Sequence, residues 1–182
     1  MTNSRRTRAE YPELGGATMS NPSDDLTKRA QRYANARHLV LEDTLGYGKD
    51  GLVFRTNRGS ALKVFGTDSP YKSERNCYFR LAELQVEEIL GHNLPQMLAW
   101  SDQLLVIEMT TVTPPYLLDF ASARLDWASE FPPEVLEQWE QDRQEEFGPR
   151  WPHVRMIMEF MRDQYGIYLM DVHPRNITFL DL

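Results

Sequence analysis

Gly46, Gly48 and Gly51 fall at the spacing G-x-G-x-x-G, with Val53 two residues further on. Glycine permits positive φ and lets backbone N–H groups approach a phosphate oxygen with no Cβ in the way. Alone, the pattern is equally well explained by an ordinary hairpin turn. Its surroundings separate the readings. A dinucleotide-binding turn leads from a strand into a helix, but here short apolar, strand-like runs stand on both sides, Leu39–Leu41 and Leu52–Phe54. Twelve positions after Gly51 comes Lys63, within Ala61-Leu62-Lys63-Val64. On a strand Leu62 and Val64 point one way and Lys63 the other. A lysine turned inward between core residues needs an anion. Glu74, on the helix expected to follow, is the favoured partner, with Glu83, Glu87 and Glu88 as competitors.

These residues must be positioned by recognisable elements. Residues 1 to about 22 are polar, lack periodicity and read as a disordered tail, within which Met19 is an alternative start. Ser23 or Asp24 caps a helix that runs to about Arg37, with Leu26, Ala30 and Tyr33 on its apolar face. Strands follow at Leu39–Leu41, Leu52–Phe54 and Ala61–Phe65, the last two joined by the turn Asn57-Arg58-Gly59. Ser69-Pro70 is the expected N-cap and first position of a helix carrying Tyr71, Glu74, Tyr78 and Leu81 on one face. Two more strands, Met97–Trp100 and Leu104–Met109, turn at Asp102-Gln103, which makes a five-stranded sheet with one main helix. Beyond Thr110 the character changes. Pro114-Pro115 marks a connector, Leu117–Ala123 a short helix, and residues 126–146 an acidic, solvated helix and loop. A helix from Pro152 ends before Gly166, with Val154, Ile157, Met158 and Met161 on its core face. Short strands are expected at Ile167–Met170 and Ile177–Leu180.

The glycines between two strands, the Ala-Leu-Lys-Val lysine and the run Leu104-Leu105-Val106-Ile107-Glu108-Met109 together resemble the first half of the protein-kinase-like superfamily. The run Tyr168-Leu169-Met170-Asp171-Val172-His173-Pro174-Arg175-Asn176 resembles its catalytic loop, in the Asp-x-His-Pro-x-Asn form of the small-molecule and atypical members. The resemblance covers roughly Leu39 to Leu182. It implies an α+β fold with a five-stranded antiparallel N-lobe sheet, and a reduced, mostly helical C-lobe. It divides the chain into 1–22 tail, 23–110 N-lobe and 111–182 C-lobe. It implies ATP and Mg²⁺ as cofactors. Gly46, Gly48, Gly51 and Val53 would cover the nucleotide, Lys63 held by Glu74 would meet the α- and β-phosphates, and Ile107 would be the gatekeeper. The backbone of Glu108 and Met109 would meet the adenine edge. Asp171 would accept or orient the acceptor hydroxyl proton, and Asn176 would hold metal. His173 either reaches the transferred phosphate or braces the loop.

The pattern departs from the family in two ways. Leu169 stands where many kinases carry a histidine. The second metal-binding Asp, which in the family lies well beyond the catalytic Asn, has only Asp181 as a candidate. In an extended strand Asp181 and Asn176 would point to opposite faces about 16 Å apart, so Asp181 serves only if the chain bends. The activation segment and the later helices of the large lobe are missing, so phosphorylation of a folded protein is not expected, and either a homo-oligomer or partner chain covers the reduced C-lobe or the chain is a fragment of a longer product. The expected activity is transfer of the ATP γ-phosphate to an unidentified hydroxyl acceptor; the alternative is a pseudokinase that binds nucleotide without transfer. Composition narrows the rest. A net charge of −7 argues against nucleic acid as a partner. No apolar run approaches the roughly 20 residues of a membrane span, and a cytoplasmic location is expected. The single cysteine, Cys77, forms no internal disulfide, and His38, His92, His153 and His173 lack metal-ligand spacing.

Overall fold

The computed structural model describes residues 22–127 and 131–180. The chain is α+β. A five-stranded antiparallel sheet has the order β1-β2-β3-β7-β6, built from β1 (Leu41–Tyr47), β2 (Gly51–Thr56), β3 (Ser60–Phe65), β6 (Met97–Ser101) and β7 (Val106–Thr110). The β1–β2 and β2–β3 hairpins are local. Pairing of β3 with β7 closes the sheet across the helix α2 (Asp68–Glu83) and the small hairpin of β4 (Glu88–Ile89) and β5 (His92–Asn93). The sequence reading placed β1, β2, β3, β6 and β7 but had no signal for β4 and β5, each two residues long.

The two faces of the sheet bury different sets of residues, as a period of two requires. Leu52, Phe54, Leu62, Val64 and Val106 lie on one face beneath α1 (Pro22–Ala36), which contributes Leu26, Ala30, Tyr33 and Ala34. Ala61, Phe65, Ile107 and Met109 lie on the other, against Tyr71, Cys77, Tyr78 and Leu81 of α2. α2 begins at Asp68 after Thr67, slightly before the expected Ser69-Pro70 start.

Past Thr110 the chain crosses a cis Pro114-Pro115 bond and runs extended. β8 (Arg124–Leu125) pairs with β9 (Ile167–Tyr168), and between them lie α3 (Pro133–Phe147) and α4 (Trp151–Tyr165). Gly166 ends α4 in the left-handed conformation (φ 63°, ψ 22°), as its position predicted. α4 buries Trp151, Val154, Ile157 and Met161, and these join the α2 side of the sheet in one continuous apolar cluster. α3 is mostly exposed and buries only Phe147, in line with a solvated acidic helix.

Two expectations are corrected. Leu117–Ala123 is not a helix. Leu117 bridges Ile177, the Leu118 N–H donates to the Asn176 carbonyl (2.8 Å), and Asp119 has φ 68°. Pairing with a segment far along the chain wins over local helix propensity there. Ile177–Leu180 is correspondingly an extended segment with one bridge to Leu117 and not a regular strand. The expected tail and Asp181 lie outside the described residues, except for Pro22, which opens α1.

Candidate functional site

The β1–β2 hairpin forms the roof of the site. The Gly48 N–H donates to the Gly51 carbonyl (3.0 Å), and the Gly66 N–H donates to the Asp50 carbonyl (2.9 Å), tying the hairpin tip to the end of β3. Only Gly51 is demanded by the fold, because a Cβ there would lie 1.9 Å from the Val64 carbonyl oxygen. At Gly46 and Gly48 a Cβ would meet nothing within 4 Å. Packing therefore does not require glycine at those two positions, where the space beside the backbone is open. Val53, opposite Lys63 in the β2–β3 register, packs on the same face.

Lys63 points into that face, as the alternation required, and is 8% exposed. Its Nζ donates to Glu74 Oε2 at 2.6 Å and to Asp119 Oδ1 at 3.1 Å. Glu74, the favoured of four candidates, is thus the partner, and it is 1% exposed. Burial opposes the charge on Lys63, but Glu74 and Asp119 outweigh it and hold the ammonium up at about 12. Burial also pushes Glu74 up to about 7 against the pull of Lys63. These two directions oppose each other across one ion pair. The 2.6 Å contact and the second carboxylate favour the ionised pair, so the ammonium's direction governs. Burial pushes the neighbouring Cys77 thiol up to about 12, which leaves it a small core residue.

Asp119 is the residue that the sequence reading missed. It follows Tyr116–Leu118, which pairs with the segment after Asn176. The Leu118 N–H donates to the Asn176 carbonyl, the Thr178 N–H to the Tyr116 carbonyl (3.0 Å), and the Tyr116 N–H to Thr178 Oγ1 (3.0 Å). Asp119 Oδ1 also accepts the Ala121 N–H (3.0 Å), while Phe120 is fully buried edge-on against Tyr78 of α2. The available signal was the run Leu117-Leu118-Asp119-Phe120, an acid within an apolar run.

The Asp171 loop lies on the same side. Asn176 is 9% exposed, and its Nδ2 donates both to the Asp171 carbonyl and to Asp171 Oδ2, each at 3.0 Å. His173 Nδ1 accepts the Arg175 N–H (3.0 Å), so the imidazole braces the loop; its Nε2 lies 3.9 Å from Asp171 Oδ2. From α3, Arg143 Nη1 donates to the Val172 carbonyl (2.8 Å). Asp50, at the hairpin tip, reports the convergence. Burial raises its carboxyl, Asp119 raises it further, Lys63 and Lys49 lower it, and Asp171 raises it again. Lys63, Asp119 and Asp171 are therefore all within electrostatic reach of Asp50.

Glu108 and Met109 are placed differently from the expectation. Both sit within β7, paired on one side with Leu62 and Ala61 of β3 and on the other with Ala99 and Met97 of β6. The Glu108 carboxylate lies on the α1 face, away from Lys63, where it accepts from Ser60 Oγ (3.0 Å) and Tyr33 Oη (3.2 Å) and pairs with Arg37 (3.5 Å). The first backbone beyond the ladder belongs to Thr111–Thr113. Ile107 is buried and pairs with Lys63 across the β3–β7 register, on the Lys63 face.

A cavity of about 510 Å³ lies between α3 and α4, lined by Trp139, Trp151, Met158 and Leu169 among others, and not at Lys63. Among the described residues no group of three or more His, Cys, Asp or Glu side chains could hold a metal ion by itself, and no helix is long and apolar enough to cross a membrane. Compared with known proteins, the chain matches no family model and no curated protein sequence.

Proposed function

We propose that this chain is a compact kinase-like phosphotransferase that binds ATP with Mg²⁺ beneath the β1–β2 hairpin and passes the γ-phosphate to a hydroxyl group. One observation carries the reading: the buried Lys63 ammonium bridges Glu74 and Asp119, and Asp119 ends a segment paired with Asn176. The acid that the resemblance requires on a strand beside the catalytic Asn is therefore supplied by Asp119. It is reached from the N-terminal side of the loop instead of the C-terminal side. Asp119-Phe120-Ala121 is close to the Asp-Phe-Gly with which kinases hold metal, and Phe120 packs under the helix that carries Glu74. Asp181 is not needed for this role.

The donor set suits a hard cation. Among the described residues the contacts of Asp119 use Oδ1 and those of Asn176 use Nδ2, so Asp119 Oδ2 and Asn176 Oδ1 are left as oxygen acceptors. Mg²⁺ is commonly held by one or two such oxygens together with phosphates and water. When bound it would neutralise charge on the phosphates. The chain's residues do the remainder. Open backbone at Gly46 and Gly48 covers the phosphates, and Lys63 meets their charge while Glu74 fixes its position. Thr111–Thr113 replace Glu108 and Met109 as the backbone offered to the adenine edge. Asp171, exposed and steadied by Asn176, takes or orients the acceptor proton.

A second reading, nucleotide binding without transfer, is favoured by the cavity between α3 and α4, whose lining reaches Met170 but includes neither Lys63 nor Asp171. Thermal melting with ATP, with and without Mg²⁺, together with ATP turnover in wild type, Asp119→Asn and Asp171→Ala, separates the readings. For the transferase, ATP stabilises only with Mg²⁺, Asp119→Asn removes that stabilisation, and Asp171→Ala keeps it while lowering turnover about a hundredfold or more. Magnesium-independent binding and no turnover would favour the binding module. No response to any nucleotide would end both.

A further inference from the structure

Two histidines on separate elements meet in the interior, away from Lys63. His92 of β5 is 2% exposed, His153 of α4 is half-buried, and their ring centroids are 5.3 Å apart. Phe179 closes the group edge-on, 5.0 Å from His92 and 5.5 Å from His153. His92 Nδ1 lies 3.2 Å from the Leu90 carbonyl oxygen. A carbonyl only accepts, so Nδ1 carries the proton and the neutral ring leaves Nε2 bare. Among the described residues, that Nε2 and the Nε2 of His153 are both buried without a hydrogen-bond partner.

We propose that the His92–His153 pair is an acid-sensitive latch that holds β5 against α4 and the C-terminal segment, and that its protonation loosens the segments carrying Asp119 and Asn176. The connection is short. Adjoining His92, Asn93 donates its N–H to the Pro115 carbonyl (2.9 Å), and Leu117 donates its N–H to the Asn93 carbonyl (3.1 Å). Tyr116–Leu118 then pairs with Asn176–Thr178 and leads into Asp119. The groups facing His92 only partly offset the cost of burying a proton. They are the Leu90, Ile89 and Thr178 backbone, the imidazole of His153, and Phe179, over whose ring Arg150 already sits at 5.1 Å. Burial lowers the pKa of His92 and outweighs the rest: the Leu90 carbonyl raises it, a charge on His153 lowers it, and the Ile89 and Thr178 backbone raise it by less. With the folded value depressed below the ordinary value of about 6.5, the stabilisation is full above that value and is lost as pH falls through the folded one.

The test compares wild type with His92→Phe and with His153→Gln, the latter at a half-buried position and so usable if His92→Phe does not fold. Melting temperature and amide hydrogen exchange at 116–118 and 176–178, corrected for intrinsic rates, are followed from about pH 7.5 to about pH 5.5. The latch predicts that exchange at those amides quickens several-fold in acid in wild type, with a falling melting temperature, and that either variant flattens the response. The same pH dependence in wild type and variants would overturn it. So would stabilisation of wild type, but not of the variants, by added Zn²⁺ at neutral pH, since the bare nitrogens would then be metal ligands.

Discussion

At Gly51 a methyl group would be driven into the backbone of β3 at Val64, whose carbonyl oxygen lies 1.9 Å from the Cβ position. β3 is central in the sheet and has nowhere to retreat. Gly51→Ala is expected to cost about 1–3 kcal/mol or more, whereas Gly46→Ala and Gly48→Ala should change stability by no more than about 0.5 kcal/mol. If the open backbone covers phosphates, the latter pair will still weaken ATP-dependent stabilisation, which melting with and without ATP would show. Lys63 is a different case. From the sequence, Lys63→Ala is expected to leave the fold intact. The structure revises this, because the substitution strands the carboxylate of Glu74 in the core, a loss of about 3–5 kcal/mol for a broken buried pair. In the variant nothing replaces the pull of Lys63, so burial holds the Glu74 carboxyl above its unfolded value, the protonated form suits the variant's fold, and the variant's stability is lost as pH rises. Urea melts of Lys63→Ala should therefore show a larger deficit at pH 8 than at pH 5, and Glu74→Gln should rescue the variant. A deficit independent of pH would contradict this account.

Among the elements, Tyr116–Leu118 has the most consequence for its length. Its residues carry no alternating pattern that identifies a strand, and its partner, Asn176–Thr178, lies some 60 residues along the chain, as Tyr116 bonds Thr178 across |i−j| = 62. Leu118→Pro would remove the N–H that donates to the Asn176 carbonyl, at a cost of about 3 kcal/mol if it acts as proline does elsewhere in regular structure. Asp119 and Asn176 would then lose their common register. The expected result is loss of the Mg²⁺-dependent part of ATP stabilisation, while the β1–β2–β3 hairpins keep slow amide exchange. Retained metal dependence would show that Asp119 does not require this pairing. On the other face of the sheet α1 is anchored by Tyr33 and Arg37 to the buried Glu108 carboxylate, which explains why that acid faces away from the site.

On the scale of the whole molecule, the C-terminal part shares its core with the sheet. One apolar cluster runs from Phe65 and Ile107 through Tyr78 and Leu81 of α2 to Val154, Ile157 and Met161 of α4. Arg80 of α2 adds a bidentate pair with Asp126 (2.6 and 2.7 Å) and a hydrogen bond to the Tyr165 carbonyl (3.0 Å). The boundary expected near residue 110 therefore marks a change of architecture across a shared interior. Unfolding should be a single transition. Tryptophan fluorescence, which reports the C-terminal part through Trp127, Trp139 and Trp151 and the sheet through Trp100, should follow the same denaturant curve as far-ultraviolet circular dichroism. Two separated midpoints would mean that the halves unfold independently.

The sequence by itself determined the elements whose signals are local. The glycine hairpin, the alternation that turns Lys63 inward, the helical spacing that brings Glu74 to it and the Gly166 stop are all written within a few residues of one another. Period-two and period-3.6 patterns and backbone permissiveness act at that range. Asp171 and Asn176 were singled out by the resemblance of their loop to a kinase catalytic loop, and within that loop the amide of one holds the carboxylate of the other. Tertiary structure alone decided the remainder. Asp119 joins the site through strand pairing with a remote segment, Glu108 and Met109 are committed to the ladder on both sides, and His92 meets His153 across two elements. Long-range hydrogen bonds and shared burial set these outcomes, and no local periodicity encodes which distant segment a strand will find.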